Sequence, residues 1–185
     1  MVTVDQDQVK QIIMVCIDTS KRMSKPFYPS KSDKKKDDKN SITRQFAATQ
    51  YLTIFANRLY AHRINCIIGL ISFNKEATIE SPLSPLIYQF EEKIMNGSEL
   101  KSYSDCTKAI NKAYEELIKI SDYPNSTKRI VLITAGNDLY GADEGSEITR
   151  KLFEKKIILD VVTFGSENDF HELITMSHIT GGLCF

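Results

Sequence analysis

The sequence has no net charge and no apolar run long enough to cross a membrane. Its 185 residues include 24 basic and 24 acidic side chains, so no overall positive field can neutralise phosphates. No secretory signal is evident in the polar residues 1–11. We therefore expect a protein that binds no nucleic acid and does not insert into a membrane.

The cysteines contain no CxxC pair and stand far apart, at Cys16, Cys66, Cys106 and Cys184. Three of them lie in or beside apolar runs, which is typical of reduced, mostly buried thiols and disfavours zinc ligation. Reduced thiols of this kind indicate a protein of the cytoplasm or the nucleus.

Motifs that cradle a phosphate or activate a serine are also missing. GxGxxG, GxxxxGKS/T and GxSxG do not occur, which disfavours dinucleotide binding, P-loop chemistry and a hydrolase elbow. The histidines, His62, His171 and His178, fall on predicted helices or their ends, with no obvious nucleophile beside them. These absences favour a protein that is not an enzyme.

Two apolar runs end in polar loops. The first, Ile12–Ile17, is followed by Asp18–Met23, and the second, Arg129–Thr134, is followed by 135–138. Runs rich in β-branched residues predict strands buried on both faces. Their carboxyl ends lie at one edge of a parallel sheet, where open α/β sheets bind ligands if the strand order reverses.

Strand-like and helix-like segments alternate along the rest of the chain. Strands are predicted over about 11–17, 64–73, 77–80, 129–134 and 157–164, and 183–185 can begin another. Helices are predicted over about 43–60, 86–95, 106–117, 146–155 and 170–177. The turn 74–76 makes 77–80 an antiparallel hairpin partner, and Ser81–Pro85 is expected to stop it.

This alternation predicts an α/β fold. We expect a Rossmann-like, doubly wound, mostly parallel sheet with one short antiparallel edge strand and helices on both faces. In the helix predicted over 43–60, one apolar face is formed by Ala48, Tyr51, Leu52, Phe55 and Leu59.

Residues 1–185 are predicted to form a single domain. Residues 24–40 interrupt it as a charged insertion, and 31–40 hold five lysines, three aspartates and no apolar residue. We expect this insertion to be mobile and solvated rather than a docking loop. The polar start, and an end just inside a predicted strand, indicate a domain from a longer chain.

Asp18 and Ser20 alternate along one loop, and carboxylate and hydroxyl oxygens spaced in this way suit Mg²⁺. The loop reads D-T-S-K-R-M, residues 104–110 read S-D-C-T-K-A-I, residues 133–136 read I-T-A-G, and T-G-G occurs at 180–182. In this order the motifs resemble those of a von Willebrand factor type A (vWA) domain, over nearly the whole chain.

In that family D-x-S-x-S, a threonine before the central helix and the aspartate of a T-D-G turn form a metal-ion-dependent adhesion site. The resemblance implies that Asp18, Ser20 and Ser104 correspond to metal ligands, with Ser104 in the place of the threonine. Arg22 replaces the second serine, and Ala135 replaces the aspartate of the turn.

These replacements remove an oxygen and a negative charge and add a guanidinium. Two unit charges about 4–5 Å apart in a surface-like dielectric repel by a few kcal/mol. We therefore predict a degenerate site that holds no metal tightly, with Arg22 paired to Asp18. The open alternative is that Asp105, Asn137 or Asp138 substitutes as a ligand and Mg²⁺ binds.

Because domains of this family bind other proteins, the resemblance implies an intracellular protein-interaction module, a scaffold that does not depend on bound metal. One alternative is a Mg²⁺-dependent module in which a partner's carboxylate completes the coordination. Another is a non-catalytic domain of a larger enzyme, for example in the ubiquitin system. The predicted protein-binding face comprises Asp18, Thr19, Ser20, Lys21, Arg22, Asp105, Asn137 and Asp138.

Overall fold

The computed structural model describes residues 9–27, 41–96, 100, 103–136, 142–164 and 170–185. In these residues the strands are β1 (Gln11–Asp18), β2 (Cys66–Phe73), β3 (Ala77–Ser84), β4 (Thr127–Thr134) and β5 (Ile157–Thr163). The helices are α1 (Arg44–Ala61), α2 (Ile87–Asn96), α3 (Cys106–Lys119), α4 (Ala142–Glu154) and α5 (His171–Ile179). A 3-10 turn, Lys21–Ser24, follows β1.

The strands form one sheet in the order β3-β2-β1-β4-β5. β1 is parallel to both β2 and β4, β4 is parallel to β5, and β3 pairs with β2 antiparallel. The predicted Rossmann-like, mostly parallel sheet is therefore confirmed. The chain leaves β1 towards β2 on one side and later returns on the other side as β4. This reversal places a crevice between the carboxyl ends of β1 and β4.

Both faces of the sheet are covered by helices. Ile12, Met14 and Cys16 of β1 pack in the core under α3, α4 and α5, whereas Ile13 and Val15 pack under α1 and α2. Each parallel strand therefore buries both of its faces, which explains why these strands are continuous apolar runs rather than alternating patterns.

β3 is longer than predicted. The expected stop at Ser81–Pro85 is wrong, because the strand continues through Pro82 to Ser84. β3 lies at the edge of the sheet, where a proline that lacks an N–H costs no ladder hydrogen bond. Register shifts between Ile68 and Ile71 of β2 absorb the irregularity.

The buried face of α1 also differs from the prediction. Tyr51 is 41% exposed and its ring stacks on that of Phe55, with the ring centroids 6.5 Å apart. The fully or nearly buried residues of the helix are Ala48, Leu52, Ala56 and Leu59. The two alanines let the helix approach the sheet closely, so the large rings lie at the margin of the contact.

In place of the predicted last strand, the C-terminal residues form a single parallel bridge, between Cys184 and Val161 of β5. Val161 N donates to Leu183 O at 2.8 Å and Phe185 N donates to Val161 O at 2.9 Å, which pairs the C-terminal residues with β5. Of the predicted insertion, 24–27 pack on the domain, since the Phe27 ring meets Phe164 edge-on. Residues 28–40 lie outside the described part of the chain.

Candidate functional site

Asp18 ends β1 and is fully buried. Its Oδ1 accepts a hydrogen bond from Ser20 N at 2.7 Å. Its Oδ2 accepts hydrogen bonds from Thr134 Oγ1 at 3.0 Å and from Ala135 N at 3.1 Å. All three donors are neutral, and together they tie the loop after β1 to the end of β4.

Thr134 was not among the predicted site residues. Its hydroxyl also lies 2.8 Å from Gly136 O, but its single proton favours the carboxylate, because charge-assisted hydrogen bonds are stronger. A signal for this residue exists in the strand pairing. Ile17 of β1 pairs with Ile133 of β4, so one further step along both strands sets Asp18 opposite Thr134.

The loop after β1 is also tied to the end of β2. Thr19 Oγ1 donates to Phe73 O at 2.9 Å and accepts from Asn74 Nδ2 at 3.1 Å. The backbone carbonyl of Asn74 accepts from Asp105 N at 2.8 Å, which joins this turn to the loop before α3. Asn74 was not predicted, yet it connects three of the loops around the site.

Asp105 is the N-cap of α3. Its carboxylate accepts a hydrogen bond from Lys108 N at 3.0 Å, and the residue is only 8% exposed. Ser104, immediately before it, is fully buried. The capping bond engages the Asp105 carboxylate within its own helix.

The hydroxyl of Ser20 is buried and makes no hydrogen bond with any described residue. A buried hydroxyl without a partner costs free energy, so this atom is suited to meet a ligand. It is the feature of the site that best fits a metal ion.

The side chain of Arg22 lies against Gly136, in the loop after β4. A Cβ atom added to Gly136 would lie 1.9 Å from Arg22 Nη1 and 3.0 Å from Arg22 Cζ. Only glycine therefore leaves room for the guanidinium in this position. The neighbouring Ala135 is 7% exposed and brings a methyl group where the family has a carboxylate. The pairing of Arg22 with Asp18 stays a prediction.

The fold brings the described candidates together around the carboxyl ends of β1, β2 and β4, but it does not expose them equally. Asp18, Thr19 and Ser20 are buried, whereas Lys21 is exposed and Arg22 is half-buried. Asn137 and Asp138 lie outside the described residues. Across the described ranges, no group of three or more His, Cys, Asp or Glu side chains could hold a metal ion.

Two thiols lie beneath the site. Cys16 Sγ is 3.7 Å from Ala109 O, and Cys106 Sγ is 3.7 Å from Thr134 Oγ1. Burial, and to a lesser degree the neighbouring Cys106, raises the pKa of Cys16. Cys16 therefore stays protonated and is poorly suited to act as a metal ligand or a nucleophile.

Solved structures share this fold at low sequence identity. The VWA domain of SpRpn10 matches with a TM-score of 0.74 and 15% identity, over 95% of this chain and 86% of that chain. A von Willebrand factor type A protein from Catenulispora acidiphila matches with a TM-score of 0.71 and 13% identity, over 95% and 38%. Proximal thread matrix protein 1 of the mussel byssus, with its adhesion-site motif occupied by zinc, matches with a TM-score of 0.67 and 11% identity, over 97% and 42%.

A sequence relative is a probable bifunctional E2/E3 enzyme of Acanthamoeba polyphaga mimivirus. It is 28% identical over 136 residues, which are 70% of this chain and 10% of that protein. The chain thus spans about a tenth of the length of this relative. In the described part of the chain, no helix is both long enough and apolar enough to span a membrane.

The sequence profile of the von Willebrand factor type A domain matches residues 13–185. This range includes all the described strands and helices, except the first two residues of β1, and both loops of the candidate site. The chain therefore belongs to the von Willebrand factor type A domain family.

Proposed function

We propose that this domain is a protein-interaction module of the vWA type, a scaffold that binds its partner through the protein-binding face without a bound metal. Membership of the family supports the binding role, although a fold hosts many functions and the site must supply the argument. The observation that carries the metal-free part is the Asp18 carboxylate, engaged by three neutral donors while the Arg22 guanidinium lies over Gly136.

The charge balance of the site supports this proposal. Mg²⁺ gives up its hydration shell reluctantly and is held by carboxylates, whereas at this site Asp18 brings one carboxylate and Ala135 brings none. The guanidinium of Arg22 adds a positive charge at the same edge of the sheet. At an effective dielectric of about 20, two unit charges about 4 Å apart repel by roughly 4 kcal/mol, and a dication is repelled more strongly.

A metal-dependent module is the second candidate. The unpartnered hydroxyl of Ser20 favours it, because a metal would satisfy that oxygen. The zinc in the adhesion-site motif of the mussel byssus protein also favours it. Asp18, Ser20 and Ser104 would then hold the ion, and a carboxylate of the partner would complete the coordination.

A third candidate is a non-catalytic domain within a larger enzyme of the ubiquitin system. The mimivirus relative supports it, since this chain matches one tenth of a probable E2/E3 enzyme. We place the protein in the cytoplasm or the nucleus, and its free, mostly buried cysteines support that assignment.

Site-specific crosslinking in an extract of the native host tests the proposal. A photoreactive side chain replaces Lys21 on the protein-binding face or, as a control, Arg150 on the exposed side of α4. We expect a discrete protein adduct from position 21 alone, with and without a chelator. An adduct that forms only with Mg²⁺ would favour the second candidate. No adduct beyond the control would contradict the interaction role.

A further inference from the structure

We propose that the Arg22 guanidinium, in place of a metal ion, binds a carboxylate of the partner directly. The domain would then recognise an acidic segment of another protein. This inference rests on the proposed function, because it concerns the same face. It adds that the partner segment is acidic and that Arg22 is the residue that binds it.

The segment that carries Arg22 is held in place on both sides. Met23 is fully buried, and its N–H donates to Ser20 O at 2.9 Å. Ser24 Oγ donates to Lys21 O at 2.8 Å, and Lys25 N donates to Arg22 O at 3.2 Å. The backbone of Arg22 is thus fixed, so binding through this residue does not have to order the loop.

The position of the guanidinium suits the role of a cation. It lies against Gly136, whose neighbour Ala135 donates to the Asp18 carboxylate. It is therefore placed at the crevice between β1 and β4, where family members carry their metal. A guanidinium offers five N–H donors in a planar fork, so it can keep an internal contact and still bind a carboxylate bidentately.

The Asp18 carboxylate has hydrogen-bond donors within the domain itself. It is fully buried, and its oxygens already accept hydrogen bonds from Ser20, Thr134 and Ala135. A partner carboxylate would bind the half-buried guanidinium of Arg22 while the three donors stay on Asp18. These three hydrogen bonds offset part of the negative charge of Asp18, and its burial keeps a partner from contacting it directly.

Among the described residues, the β1–β2 side of the site carries more exposed basic than acidic side chains. Its exposed cations are Lys21, Lys25, Lys75 and Lys108. Glu76, an exposed acid in the adjoining turn, is bonded to Lys108 at 3.0 Å, so this pair carries no net charge and Lys21, Lys25 and Lys75 supply the excess. Asp143 and Glu144 lie in the first turn of α4, beyond β4. The charges therefore favour an acidic segment that crosses the β1–β2 side and places one carboxylate on Arg22.

Nuclear magnetic resonance titration with two peptides tests this inference. The probes are a short peptide of alternating Glu and Ser and the same peptide with Gln in place of Glu, both in the presence of a chelator. We expect the acidic peptide alone to bind, and to shift the amide signals of residues 20–24 and 135–136. Equal binding of the neutral peptide would overturn the proposal.

Variants then test whether Arg22 is the residue that binds the peptide carboxylate. Arg22→Gln should weaken binding of the acidic peptide by about tenfold or more, and Arg22→Lys by less, because a lysine keeps the charge but loses the fork. Arg150→Gln, which removes an exposed guanidinium from α4, should leave the affinity unchanged. An Arg22→Gln protein that binds like the wild type would overturn the proposal.

The same variant separates this inference from the proposed function. If Arg22→Gln keeps the full yield of the crosslink at position 21, the interaction function is supported and carboxylate binding by Arg22 is contradicted. If the inference holds, the crosslink weakens with the peptide affinity. If the protein with the photoreactive side chain at position 21 and an intact Arg22 gives no crosslink, the proposed function itself is contradicted.

Discussion

Asp18 holds together two loops of the site. Its buried carboxylate accepts hydrogen bonds from two backbone N–H groups and one hydroxyl. In a functional metal site the same carboxylate would mainly coordinate the ion. Without the ion, removing this carboxylate would then remove an unbalanced negative charge and would not destabilise the protein. The two roles therefore differ in what they predict for stability without metal.

We expect Asp18→Ala to lower the free energy of unfolding by roughly 2–3 kcal/mol in a chelator, because its three donors lose their acceptor. Asp18→Asn keeps one acceptor oxygen and should lose less. Urea unfolding followed by circular dichroism measures both changes. An Asp18→Ala protein as stable as the wild type in a chelator would show that the carboxylate has no structural role.

Gly136 controls the position of Arg22. A Cβ at this residue would meet Arg22 Nη1 at 1.9 Å, and the end of a flexible side chain can move away. We expect Gly136→Ala to displace the guanidinium, with a loss of acidic-peptide affinity of about tenfold and a small loss of stability. Peptide titration and urea unfolding measure the two effects.

Gly145 provides the matched control, because a Cβ there meets nothing within 4 Å. It lies inside α4, so Gly145→Ala should raise stability by about 0.5–1 kcal/mol and leave peptide binding unchanged. Equal peptide affinities of the two alanine variants would contradict the position given to Arg22.

At the scale of elements, α3 connects the site to the core. Asp105 caps the helix, and its N–H reaches Asn74 in the β2–β3 turn. We expect Asp105→Ala to cost about 1 kcal/mol of unfolding free energy, the usual value for a lost N-cap. Thr43→Ala, at the N-cap of α1, should cost a similar amount. Urea unfolding compares the two variants. An Asp105→Ala protein with the same free energy of unfolding as the wild type would contradict the capping role.

The elements also show what the sequence can predict. The runs at 12–17 and 129–134 were sufficient to place two strands and their polar loops at one edge, because strands buried on both faces are continuously apolar. The end of β3 was not predictable, since Pro82 stops a central strand but not an edge strand. The local sequence does not indicate which strand lies at the edge of the sheet.

The site itself was predicted only in part. Asp18 and Ser20 were found because they follow an apolar run in a recognisable motif. The hydrogen bond from Thr134 depends on the register between two strands that are more than a hundred residues apart, and the contact of Asn74 with Thr19 depends on the geometry of a turn. The exposure of Tyr51 depends on how closely α1 approaches the sheet.

At the scale of the whole molecule, buried thiols couple stability to alkaline pH. Burial raises the pKa of Cys66 from 9.0 to about 11. Between these values the unfolded chain loses the thiol proton while the folded protein keeps it. Stability contributed by the buried thiol is thus present below about pH 9 and is lost as the pH rises, by at most roughly 1.4 kcal/mol per pH unit.

Cys66→Ala removes this contribution, so its free energy of unfolding should fall less steeply than that of the wild type between pH 8 and pH 10. Urea unfolding at several pH values gives both slopes. Parallel slopes would contradict a raised pKa at Cys66.

We propose that Arg22 and Ala135 together keep this site free of metal. The most direct measurement is a titration of the chelator-stripped wild type, and of an Arg22→Ser, Ala135→Asp double variant, with Mg²⁺ and Mn²⁺. Calorimetry and the melting temperature provide the two readouts. A ligand that binds only the folded state raises stability by about 2.7 kcal/mol at one hundred times its Kd.

We predict no heat and no shift in melting temperature for the wild type at millimolar metal, and saturable binding with a raised melting temperature for the double variant. Saturable binding to the wild type that Asp18→Ala abolishes would show that the native site holds a metal after all.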